Sequence, residues 1–361
     1  MPRTMTTRRF RPAILALLAS AALLPPGVAG HAQERLDRLP RDVFDVIPAS
    51  ERIIGERGAM QVYQGGCRIG PTAWARRRIV DIAVQEWAFF GFQTIDTTLV
   101  ETRYLPEGLL PEALNPERPA PHGARVYTRL GAFDTSEDLA PSIAGYWSAA
   151  EEGAGAIRAQ NRAWNGDGGD DVGWVQPWSA AFISWVMCEA GLGDMAQFER
   201  SVAHRVYIDQ AIRARDGSAP DAAFIAHDAG EEIIAPGDLL CNARGSADYL
   251  SLADRRPDTG RFAPTHCDIV VKADPEAMRF LVIGGNVQES VSLTILPAVQ
   301  EDSSEMRPVD EAQLDGARTI FAHLKLNADA VEANAFDNTP TIRSLGEAVS
   351  GSDAARLLHR D

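Results

Sequence analysis

Pro177-Trp178-Ser179-Ala180-Ala181-Phe182-Ile183-Ser184-Trp185-Val186 runs on to Gly191 as an apolar helix pattern with a serine at its first turn. Ala181, Phe182, Trp185, Val186 and Ala190 recur at spacings of three and four, so the helix is expected to face a core along most of its length. Pro177 suits the start because it has no N–H to leave unpaired, and Gly191 suits the stop. Ser179 therefore sits where backbone N–H groups lack helical partners and the helix dipole is positive. A hydroxyl there is either a cap or a nucleophile.

Upstream, Trp74, Ile79, Ile82, Ala83, Trp87 and Phe90 keep a helical period before Gly91, which predicts a core-facing helix over 72–90. A second helix is expected over 136–150, carrying Ile143, Tyr146 and Trp147, and a third over 198–214 with His204 and Tyr207 on one side. Beyond it the pattern turns to strands at 236–241, 268–271, 278–283, 291–295 and 318–326, with turn residues and no helices between them. Helices first and antiparallel strands afterwards give an α+β fold, its helices packed on one sheet. Pro-rich 105–125 and polar 242–264 read as loops. Residues 33–72 read as an N-terminal arm, 73–327 as the domain and 328–361 as a loosely held polar tail.

Residues 1–32 have the layout of a secretory signal: four arginines, an apolar run from Ala13 to Leu24, then small residues ending at Ala32. Removing them takes the formal charge from −15 to −19, which disfavours nucleic acid as a partner. No later apolar run reaches spanning length, so an exported, periplasmic protein without a membrane span is expected. In that compartment Cys67, Cys188, Cys241 and Cys267 admit three pairings. A bridge between Cys241 and Cys267, at the ends of neighbouring strands, is favoured, with Cys188 a buried thiol in its helix. Asn165 to Asp171 lacks the order of a calcium loop, and no H-E-x-x-H occurs, so no metal or cofactor is expected.

Ser179 at a helix start, His266 opening the strand at 268–271 and Asn286 after the strand at 278–283 follow the order nucleophile, base, orienting group. Taken singly, each has a bland reading: a cap, a satisfied histidine, a turn residue. PWSAAFISWV, APGDLL, THCDIVV and VIGGNVQESVSL together resemble the bacterial DUF2272 family, within the broad NlpC/P60 and CHAP group of papain-like amidases, over residues 75–326. The resemblance implies a papain-like fold with Ser179, His266 and Asn286 as catalytic residues. Trp178, His204 and Tyr207 are expected to flank the cleft as substrate contacts. The function implied is hydrolysis of amide bonds, with peptidoglycan or another cell-envelope peptide as substrate; the alternative is an envelope-binding module that keeps the cleft without turnover. The broader group uses a thiolate, and this chain has serine at that position. Cys188 lies about 13 Å along the same helix, and Cys267 is expected to point away from His266.

Overall fold

The computed structural model describes residues 35–96, 131–169, 172–301, 304–309 and 319–349. The signal-like segment 1–32, the loop 105–125, Asp170 and Asp171 of the acidic stretch 165–171, and 350–361 lie outside the described residues. Two strands, β1 (Ile53–Ile54) and β2 (Gln61–Val62), form a small ribbon in the arm. The helical half comprises α1 (Ala75–Phe89), α2 (Ala140–Trp147), α3 (Gly153–Trp164), α4 (Ser179–Ala190) and α5 (His204–Arg215). Around them stand β3 (Thr94–Asp96), β4 (Phe224–His227), β5 (Leu239–Ala243), β6 (Thr265–Asp274), β7 (Arg279–Val287), β8 (Ser290–Val299), β9 (Arg307–Pro308) and β10 (Ile320–Leu326). A short α6 (Leu252–Arg255) lies in the loop before β6, and α7 (Pro340–Val349) follows the last strand.

The sheet runs β3-β8-β7-β6-β5-β10-β4, with β9 paired to the far end of β8. Every described pairing in it is antiparallel except β3 with β8. The fold is thus α+β with a mostly antiparallel sheet. Side chains alternate across it, as strand geometry requires. Leu239, Cys241, Cys267, Ile269 and Ile283 join the main core with the helices, while Leu240, Val270, Phe280 and Val282 form a smaller core on the other face.

α4 is the central helix, and all twelve of its residues are buried. It stops at Gly191, whose φ of 106° is the left-handed conformation that glycine adopts without a Cβ penalty. Its approach to the sheet depends on a second glycine. A Cβ on Gly285 would stand 2.5 Å from Phe182 Cβ, so only a glycine lets α4 lie this close to β7.

Several expectations need correction. Trp74 lies in a 3-10 turn ahead of α1 and is 69% exposed; the helical phase that aims Ile79 and Ala83 inward has not begun there. α3 breaks no pattern rule, since Ala156, Ile157, Gln160 and Trp164 share its buried face, but alanine and glycine make its stripe faint. β4 at the edge and the three-residue β3 are too short for a periodic signal. Cys188 is no free thiol, being bonded to Cys67, while the other bridge joins Cys241 to Cys267 across β5 and β6. Residues 328–349 are not a loose tail. The Asp329 N–H donates to Ala73 O at 3.0 Å, the Ala273 N–H donates to Ala333 O at 3.0 Å, and the Phe336 ring lies 5.6 Å from that of Trp87. Among the described residues no helix is long and apolar enough to cross a membrane.

Candidate active site

Ser179 is the first residue of α4, and the first intrahelical donor on this helix is the Phe182 N–H, bonded to Trp178 O at 2.9 Å. The preceding backbone N–H groups at Ser179, Ala180 and Ala181 therefore have no helical carbonyl to meet. Trp178, expected to line the cleft, is wholly buried instead. Its ring stacks on Phe90 and Tyr146, and its indole N–H donates to Asp134 Oδ2 at 3.0 Å, so it fixes the direction from which the chain enters α4.

Ser179 Oγ lies 2.7 Å from His204 Nε2, at the start of α5. The opposite ring nitrogen, Nδ1, takes the backbone N–H of Cys267 at 3.2 Å and touches the Tyr207 hydroxyl. Burial, then the nearby His266 and Arg244, hold the His204 imidazole well below the ordinary histidine range. Burial, then the charge of Asp268, push the Tyr207 phenol well above its ordinary value. Both groups are consequently neutral at pH 7.

The His266 ring centre is 4.9 Å from that of His204. Its Nε2 is 2.7 Å from Asp268 Oδ1, and a carboxylate can only accept, so Nε2 carries the proton. His266 and Asp268 are two residues apart on β6 and hence share a face, while Cys267 turns the other way into its disulfide. Gly284 makes room for this pair: a Cβ there would stand 1.8 Å from Asp268 Oδ1. The Gly284-Gly285 doublet thus admits the carboxylate on one side and α4 on the other.

The structure brings Ser179, His204, Tyr207 and His266 together. The ring in contact with Ser179 is that of His204, not His266. Asn286, expected to orient His266, makes no side-chain hydrogen bond among the described residues; Asp268 holds that ring. Asn286 instead occupies the irregular step of β7 between Gly284 and Val287, with φ of 54°, a left-handed conformation that asparagine tolerates better than most residues. Asp268 was legible in principle, because His-x-Asp on a strand places both side chains on one face. The site is close to shut: Ser179 is 4% exposed, Asp268 8%, and His266 fully buried. Among the described residues no group of three or more His, Cys, Asp or Glu side chains is arranged to hold a metal ion.

The sequence profile of DUF2272, described as an uncharacterized protein conserved in bacteria, matches residues 129–326, which contain every one of these site residues. No curated protein and no solved structure matches the chain. On the extent of the profile match, more than half of its length, the chain belongs to the DUF2272 family.

Proposed function

We propose that this chain is an exported amide hydrolase of the cell envelope, acting on peptidoglycan peptides from a papain-like site of the NlpC/P60 and CHAP type, with serine in place of the thiol. The observation that carries the reading is the buried Ser179 hydroxyl at a helix N-terminus, bonded to one imidazole whose ring neighbours a second that is braced by a carboxylate. Two disulfides fit an oxidising compartment such as the periplasm.

In this reading Ser179 Oγ attacks the scissile carbonyl carbon, and its proton passes to His266 Nδ1 directly or through one water. Backbone N–H groups at the start of α4 stabilise the oxyanion. Collapse breaks the C–N bond as His266 returns the proton to the leaving amine. Water then releases the acyl group from Ser179, with His266 again taking and returning the proton. Asp268 holds the ring and stabilises the imidazolium formed on the way.

A fluorophosphonate probe tests the nucleophile: Ser179 Oγ bonds to phosphorus and fluoride leaves. Labelling of the purified protein, lost in Ser179→Ala and His266→Ala, together with release of soluble peptides from sacculi, is the expected result. Labelling unchanged in Ser179→Ala would overturn the assignment. The near-complete burial of Ser179 favours a second reading, an envelope-binding module without turnover. That reading predicts retention on sacculi with no probe labelling and no release.

A further inference from the structure

The contact between Ser179 and His204 has the look of a nucleophile with its base, yet the hydrogen bonds on the far side of the ring point the other way. A backbone N–H can only donate, and the Cys267 N–H is directed at His204 Nδ1. Nδ1 must then present its lone pair, and the Tyr207 hydroxyl on the same atom donates as well. A neutral imidazole with a lone pair on Nδ1 has its proton on Nε2. Nε2–H therefore donates to Ser179 Oγ, and Ser179 accepts.

We infer that His204 is a hydrogen-bond donor to the serine oxygen and not its base, and that Tyr207 and the Cys267 N–H are positioning groups that hold it in that tautomer. The serine's own proton is then directed away from His204, and in the hydrolase reading it is His266, braced by Asp268, that receives it. This assignment deepens the hydrolase reading and rests on it for its catalytic meaning; the tautomer itself does not. The charged and titratable groups around the ring agree with a neutral state. His266 on β6 and Arg244, just beyond β5, both oppose a second proton, and Asp268 is engaged by His266. A doubly protonated ring would also set two N–H groups, its own and that of Cys267, against each other.

The roles separate under substitution by glutamine, whose amide N–H can replace a donor at Nε2 but which cannot take up a proton at neutral pH. His204→Gln is expected to keep fluorophosphonate labelling within about tenfold of the parent, on the scale of one altered hydrogen bond. His204→Ala should lose more, and His266→Gln should lose about a hundredfold or more, as for a missing base. Tyr207→Phe should slow labelling about fivefold without moving its pH profile.

Nitrogen-15 NMR of the unsubstituted protein reads the tautomer with no reference to activity. His204 is expected as Nε2–H, unchanged as the pH is lowered through 6.5. Nδ1–H at His204, or a folded His204→Gln as inactive as His266→Gln, would overturn the inference. A parent protein that shows the Nε2–H tautomer but no labelling would sink the hydrolase reading and leave the donor assignment standing.

Discussion

Among the described residues two histidine–aspartate pairs are buried, and one of them stands beside the ring that holds the Ser179 hydroxyl. His323 Nε2 lies 2.9 Å from Asp238 Oδ2, and both residues are completely buried. Asp238 also accepts from Arg76 Nη1 at 2.7 Å and from the N–H groups of Leu326 and Ala235, each at 3.0 Å. Burial pushes this carboxyl up, but the bond to His323, its charge, Arg76 and the Leu326 N–H outweigh it and hold the group below the usual range. The pair bolts α1 to β5 and β10. His266 and Asp268 make the same bond at 2.7 Å, next to the His204 ring that touches Ser179. A histidine bonded to a carboxylate is thus no site by itself; what distinguishes the second pair is its neighbour.

The comparison breaks first on stability. Asp238→Ala strands Arg76 and His323 in the interior and is expected to cost about 3–5 kcal/mol in urea unfolding. Asp268→Asn should cost about 1–2 kcal/mol while removing most fluorophosphonate labelling. Equal costs for the two substitutions, or labelling retained in Asp268→Asn, would erase the distinction.

Asp81 on α1 sharpens it, as a buried acid with no histidine. Its Oδ1 makes no hydrogen bond, and burial raises the group to about 7 against the opposing charges of Arg77, Arg78 and Arg343. The folded state therefore binds a proton that the unfolded chain releases near pH 4, and stability from this group is lost as the pH rises towards and through 7. Asp81→Asn should remove that slope and raise stability at pH 8 by at most about 4 kcal/mol. No gain in unfolding midpoint at pH 8 over that at pH 4 would refute it.

A further test concerns the room allotted to the second pair. Gly284→Ala drives a methyl into Asp268 Oδ1, for about 1–3 kcal/mol, and should depress labelling together with stability. Gly66→Ala, where an added Cβ meets nothing, serves as the neutral control. Full labelling in a folded Gly284→Ala protein would show that the carboxylate need not sit where it does.

The α+β order, α4, and most strands were legible because each rests on a repeated local signal, the period of a helix or strand with its stop residue. His204 was placed at the cleft from its helix face, but its contact with Ser179 depends on how α5 meets β6, which no local pattern encodes. Asn286 drew attention through its neighbours in Ile283-Gly284-Gly285-Asn286, and those glycines matter for a different reason, the closeness of Asp268 and Phe182. Asp268 was hidden by its adjacency to His266 in a motif read for the histidine alone. The helix α7 leaves little trace in the sequence because Ile342 and Leu345 are too few to define a stripe.

The bond between Cys67 and Cys188 encloses 121 residues of sequence separation, and it joins the arm to the interior of α4. Covalent continuity between those regions is therefore doubled. A single proteolytic cut anywhere from residue 68 to residue 187 yields two polypeptides that still travel as one particle, and only a reductant together with unfolding would part them.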